Sequence, residues 1–329
     1  MKRIMKSSVA MLLALTLALG VWGVTPSAAA TVKGLVAPFT IKDGWGSTAI
    51  NHWFGPESYS TDFSGYKVSG DVYIPRAAFA DDAVLHVRAD ISFWFEDIEK
   101  SGLLLSDQKD EIHIGYNKES NDYWFNGWDD EKQQDVELPF VKSVSTVGDM
   151  VKVEFADAPV SAELMSDQWD EATQSNKPWE GDIPQTNGHV NACIHVGGEK
   201  AFSGKIAVSN VSVKIGDKVL DAIYDADDDI GDAWGDIEGD MGPIKPETFN
   251  TTALSVAKTS VKVKAKKSST VKVTTMFNGD KVKVSSSTKK VAKATFKNGK
   301  VTIKGVKKGK ATITVKANGK TKKIKVTVK

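Results

Sequence analysis

The 329-residue chain has one cysteine, Cys193, which excludes an internal disulfide framework and a cysteine-based zinc site. Beyond residue 30 no apolar run approaches the roughly 20 residues needed to cross a bilayer as a helix. The extended 3.6-residue apolar periodicity of amphipathic helices is missing as well. Other scarcities are local. Residues 251–329 contain no arginine, one acid (Asp280) and two aromatics (Phe277 and Phe296), against 23 lysines. That segment lacks the forked donors that read base edges and the rings on which bases stack, so nucleic acid is not an expected partner.

The charges that are present are segregated. The formal net charge is only +1, yet residues 31–250 carry 17 bases against 41 acids. Opposite charge on two stretches of domain size implies two separate units, and 41% hydrophobic residues are enough to give each a core. The first 30 residues have the three parts of a secretory signal: Lys2, Arg3 and Lys6, an apolar run from Val9, then Ala28-Ala29-Ala30. The expected organisation is a signal peptide at 1–30, an acidic β-sandwich at 31–225, an acidic Gly- and Pro-containing linker at 226–251 and a basic β-sandwich at 252–329. The expected location is secreted, extracellular or attached to a bacterial cell surface, with no membrane span. No cysteine follows the cleavage site to carry a lipid.

Residues 252–329 alternate strictly, as in Lys281-Val282-Lys283-Val284 and Ala311-Thr312-Ile313-Thr314-Val315. A period of two places Val and Ile inward and Lys or Thr outward on half-buried strands. Asn278-Gly279, Asn298-Gly299 and Asn318-Gly319 mark turns between them. Six or seven short strands in this length make a small β-sandwich. The order of Leu254-Ser255-Val256, Ser285-Ser286-Ser287, Val291-Ala292, Gly299-Lys300-Val301, Gly305-Val306, Lys308-Gly309 and the 311–315 strand resembles the bacterial Ig-like group 2 domain. One departure is Val284, where that family usually has Trp. The resemblance implies a non-catalytic spacer, adhesion module or surface contact. Outward lysines also keep sheet edges from pairing with neighbours, and they offer an electrostatic hold on an anionic polymer such as a cell wall, or on the acidic unit itself.

The linker holds eight acids in 225–240. Asp225, Asp227 and Asp229 have the 1-3-5 spacing of a calcium loop, but Ile230 stands where the turn needs Gly and Asp236 where Glu closes the loop. A solvated linker is the better reading, with Trp234 docking on a neighbouring domain.

In the acidic unit, strand patterns recur at 66–74, 83–95, 111–116, 122–125, 151–155, 190–196 and 203–214, with polar turn clusters between them. The expected fold class is all-β: an antiparallel β-sandwich of jelly-roll type, followed by the small Ig-like β-sandwich. The segments 65–75 and 201–213 resemble the first and last strands of jelly-roll carbohydrate-binding modules. A structural calcium ion often accompanies such modules; the sequence names no ligands for one, and no cofactor is expected. Tyr123, Trp124, Asn126 and Trp128 fall in one polar loop, and Trp169 and Trp179 bracket another. Large rings in loops are costly to bury and suggest an exposed platform. Sugars present an apolar face for stacking and a rim of hydroxyls for amides and carboxylates. Asn117, Asn121, Gln168, Gln185 and Asn187 are further rim candidates. Trp94, on Ile91–Phe95, is expected in the core.

Catalytic signatures are lacking. Glu96-Asp97-Ile98-Glu99 and Asp236-Ile237-Glu238 are fragments without the spacing of a jelly-roll glycosidase, which needs two carboxylates roughly 5–9.5 Å apart. His52, His86, His113, His189 and His195 lack the His-Glu-x-x-His spacing, and no Gly-x-Ser-x-Gly elbow occurs. The reading is an exported, non-catalytic binding protein that recognises a polysaccharide (plant or host glycan). The alternatives are a surface adhesin for a protein partner and a jelly-roll glycoside hydrolase.

Overall fold

The computed structural model describes residues 29–42, 44, 46–58, 62–95, 100–183, 187–221 and 246–329. Residues 1–28 of the expected signal sequence, the acidic stretch 222–245 with its calcium-like spacing and Trp234, segment 96–99, Gln185 and the side chain of Asn187 lie outside the described residues.

The strands of the N-terminal unit are β1 (Thr31–Ile41), β2 (Gly46–Ser58), β3 (Tyr66–Pro75), β4 (Val84–Phe95), β5 (Lys100–Leu104), β6 (Ile112–Asn117), β7 (Asp122–Asp129), β8 (Gln134–Val136), β9 (Val141–Val147), β10 (Met150–Pro159), β11 (Met165–Asp170), β12 (Ser175–Pro178), β13 (Asn187–Gly198), β14 (Phe202–Ile215) and β15 (Lys218–Val219). After the linker come β16 (Glu247–Asn250), β17 (Leu254–Val256), β18 (Ser260–Val263), β19 (Ser268–Thr275), β20 (Lys283–Ser286), β21 (Ala292–Lys297), β22 (Lys300–Gly305), β23 (Gly309–Ala317) and β24 (Lys320–Val328). The described residues are all-β, as the alternation implied.

Two antiparallel sheets form the N-terminal sandwich. One runs β16-β1-β14-β3-β10-β9, with β15 on β14. In the other, β13 lies between β2 and β4; the far edge of β4 pairs with β5 and β6, which lead to β11-β12 and β7-β8. Alternation decides the faces. Along β4, Leu85, Val87, Ala89, Ile91, Phe93 and Phe95 are buried in the core, and the residues alternating with them point to the outer face. Phe93 and Phe95 stack with rings nearly parallel, 5.9 Å apart. His52 of β2 is a core histidine stacked on Phe54 at 4.9 Å; burial lowers its pKa to about 4 and keeps it neutral near pH 7.

Three expectations need correction. The segment 65–75 is the third strand, not the first, because β1 and β2 precede it and β14 pairs with both β1 and β3. Gly34 and Pro38 interrupt the β1 pattern, and Pro38 is tolerated because β16 covers only the first four residues of that edge. Trp94 is half-buried on the outer face, since Phe93 and Phe95 take the inward positions. The supposed loop around Trp124 is strand β7, and the one between Trp169 and Trp179 is the β11–β12 hairpin.

The C-terminal unit packs the sheet β17-β19-β22-β21 on β18-β24-β23-β20. Its core is mostly Val, Ile and Ala, including Val271, Val301, Ile303, Ile313, Val315 and Ile324. Val284, at the position where the related family has Trp, is half-buried against this core. Asn298-Gly299 and Asn318-Gly319 have positive φ at both residues and join the β21–β22 and β23–β24 hairpins, as a two-residue turn of primed type requires. Asn278-Gly279 does not join paired strands and instead reaches the other unit.

The expected linker ends in structure. β16 pairs with the start of β1, residues 247–250 against 31–34. Phe249, fully buried, sits edge-on to Tyr73 of β3 at 5.1 Å and 5.9 Å from Phe277. Met150, Ala207, Ala253 and Met276 complete this small core between the units. Around it, Asp149 accepts the Ala253 N–H at 2.8 Å and pairs with Lys320 at 3.0 Å. Asn278 donates to Glu247 at 2.7 Å. Asp280, the one acid of the basic unit, accepts from the Phe277 N–H and from Asn318, so it fixes the turn that carries Phe277.

Phe249→Ala should therefore cost about 3–5 kcal/mol and split one calorimetric unfolding transition into two; an unchanged single transition would contradict the joint. Burial tends to raise the Asp149 pKa, but the Ala253 N–H and Lys320 outweigh it and hold the group below its ordinary 3.8. A depressed folded pKa stabilises above the unfolded value and is lost as pH falls through the folded one. The melting-temperature gap between wild type and Asp149→Asn should be full near neutral pH and close below 3.8.

Candidate binding face

The outer face of the sheet containing β4 and β13 carries the polar chemistry. Positions 124, 126 and 128 alternate along β7, which places Trp124, Asn126 and Trp128 on one side, the two rings about 13 Å apart along the strand. Trp124 is 40% exposed. Its cross-strand partner is Gly115 of β6, and the indole lies flat across it: a Cβ at Gly115 would overlap the ring. The absent side chain thus gives the ring a seat. Trp128 is half-buried and its Nε1 donates to Asp130 at 2.9 Å. Asn126 donates to Asp135 at 2.5 Å. Phe125, 39% exposed, lines a shallow groove of about 400 Å³ with Asn126, Asp135 and Leu138.

The other expected residues are placed differently. Trp169 stands at the end of β11 opposite Asn176, 52% exposed. Trp179 packs edge-on against Phe95 at 5.2 Å, with the Lys100 ammonium 3.8 Å above its ring; it closes the sandwich instead of standing in a platform. Tyr123 faces inward, between Phe79 and Tyr116 at 5.0 and 5.1 Å, and its hydroxyl accepts from Arg76. Asn117 and Asn121 shape the β6–β7 turn.

Further along the same face, polar side chains gather that local sequence did not assemble. Asp90, 2% exposed, accepts the Ser106 N–H at 2.7 Å and pairs with Arg88 and His195 at 3.0 and 3.2 Å. Burial opposes its charge, but those partners hold its pKa below the usual carboxylate range. Asn191, fully buried, donates to Asn51 and Ser92, each at 3.1 Å, and accepts the His52 N–H. Burial pushes the Cys193 thiol up to about 12, so it is unreactive. His86 of β4 faces His113 of β6, ring centroids 4.4 Å apart, and Glu111 contacts both. Burial tends to raise the Glu111 pKa, but hydrogen bonds from His113 and His86 lower it to about 2. The only sequence signal for this cluster was the 111/113 spacing, which puts two side chains on one side of the extended backbone entering β6.

No family model matches the sequence, and no curated protein matches it. Among solved structures, domains 5–6 of the S-layer protein SbsC are 30% identical over 23% of this chain, TM-score 0.22. SbsC domains 4 and 5 are 24% identical over 36%, TM-score 0.23. The chain spans 42% and 62% of those two structures. Similarity at such TM-scores defines no common arrangement of the two units. Among the described residues no helix is long and apolar enough to cross a membrane.

Gly115→Ala should lift the Trp124 ring off β6, red-shifting indole fluorescence while the melting temperature stays nearly constant because the displaced ring already meets water. Unchanged emission would show that the ring is not seated there.

Proposed function

We propose that the chain is an exported, non-catalytic binding protein whose N-terminal sandwich recognises a polysaccharide. The observation that carries this reading is the β7 face. An exposed indole, an amide and a second indole alternate on one side of the strand, and Phe125, on its other side, lines with Asn126 and Asp135 a groove at this end of the sheet. Trp124 supplies a preformed stacking surface, held by contact with the Gly115 backbone, so little side-chain entropy is lost on binding. Asn126 and Asp135, hydrogen-bonded to each other, offer an amide and a carboxylate to the hydroxyl rim of a sugar. Trp169, the other strongly exposed indole, is a separate candidate contact on β11, and Trp179 and Tyr123 act as supports. Recognition of this kind makes and breaks no bonds.

The basic unit complements this role. It docks on the outer face of the opposite sheet, through Tyr73, Met150 and Ala207, which leaves the β7 face uncovered by the interface. Its lysine charge would then hold an anionic polymer such as a cell wall, and the resemblance to bacterial Ig-like group 2 domains implies a spacer or surface-contact role beside it. Export rests on the signal sequence at residues 1–30.

Affinity electrophoresis of the mature chain against a panel of soluble polysaccharides, with reducing-sugar release assayed on the same samples, tests the proposal. Retardation without release is expected. Trp124→Ala and Trp169→Ala should each weaken it about tenfold, the scale of one lost aromatic stack, whereas Trp179→Ala should act mainly on melting temperature. No retardation on any glycan would transfer the aromatic face to a protein partner, and sugar release would make the chain a glycosidase.

A further inference from the structure

We propose that His86, Glu111 and His113 form a binding site for a zinc-type divalent ion. It rests on these three side chains alone, independent of the glycan reading.

The sheet itself builds the site. His113 and Glu111 are two residues apart, which directs them to the same face. His86 is the direct cross-strand partner of His113. One donor atom from each residue lies within 4.8 Å of the others. Tetrahedral zinc with ligand bonds of about 2.0–2.1 Å needs donors about 3.3 Å apart, so a rotamer adjustment of about an ångström closes the set around an ion. Among the described residues no other group of three His, Cys, Asp or Glu donors converges this closely.

The donor types select the metal. Two imidazoles and one carboxylate suit Zn²⁺, whereas Ca²⁺ takes six to eight oxygens. Any calcium of the sort that accompanies jelly-roll modules would have to bind elsewhere. Three protein ligands leave a fourth position for solvent. The side chains are each about a fifth exposed, 22%, 19% and 23% for His86, Glu111 and His113, so an ion can enter from the outer face. Both histidines start from backbone positions fixed by ladder hydrogen bonds on neighbouring strands, so binding does not have to order a loop. Asn126 follows in the same cross-strand row, which puts the ion next to the β7 face.

The test is calorimetric titration of the metal-free mature chain with Zn²⁺ and, separately, Ca²⁺. One saturable zinc equivalent is expected, and no calcium response at this site. Outer-shell partners alone are worth about 10–100-fold in affinity, so His86→Gln, Glu111→Gln and His113→Gln should each weaken zinc binding at least tenfold, with His189→Gln unaffected. X-ray absorption of the zinc-loaded wild type, which needs no variant to fold, should show two imidazoles among nitrogen and oxygen ligands. No saturable zinc binding, binding unchanged in the three variants, or a first shell without imidazole would each overturn the site.

Discussion

The burial of Phe249 is the contact on which the two-unit architecture depends. A short strand, β16, adds to the edge of β1 and delivers one ring into a socket made by Tyr73, Met150 and Ala207 on one side and Ala253, Met276 and Phe277 on the other. Main-chain pairing sets the direction of the joint, and apolar burial supplies most of its free energy. The ion pair and hydrogen bonds around Asp149 and Asn278 add position more than strength, being partly exposed. Because the basic unit is seated on one sheet, the outer face of the other stays clear of this interface.

That other face departs from the usual division of a sandwich sheet into apolar inside and solvated outside. Asp90 and Asn191 are almost fully buried there, yet each is satisfied by several partners, which is what makes buried polar groups tolerable. Such a network resists rearrangement, so the neighbouring side chains sit on a stiff base. The seated Trp124 and the facing His86 and His113 are held by backbone registration between strands and not by a loop. A rigid surface gains affinity chiefly by avoiding the entropy cost of ordering.

Charge segregation follows the same geometry. The lysines of the C-terminal sandwich occupy outward positions of strands whose inward partners are Val and Ile, so the high positive charge costs the core nothing. The exception is informative: Asp280 points into the joint and fixes the Phe277 turn.

By itself, the sequence determined the all-β class, the outward lysine positions of the last strands and most strands with clean alternation, such as β4, β6, β13 and β14. Two of three Asn-Gly pairs also marked hairpins correctly, since positive φ at both residues is a local requirement. All of these are properties of neighbours in the chain. Strands β1, β2, β5, β8, β9, β11, β12, β15 and β16 were missed: Gly34 and Pro38 blur the period of β1, several of the others are short, and their stability comes from distant partners. The side on which Trp94 and Tyr123 point, the seat of Trp124 over Gly115, the packing of Trp179 on Phe95 and the meeting of His86 with His113 were decided only by tertiary structure. Each depends on the register between strands, and a one-residue shift of register would send every side chain to the opposite face.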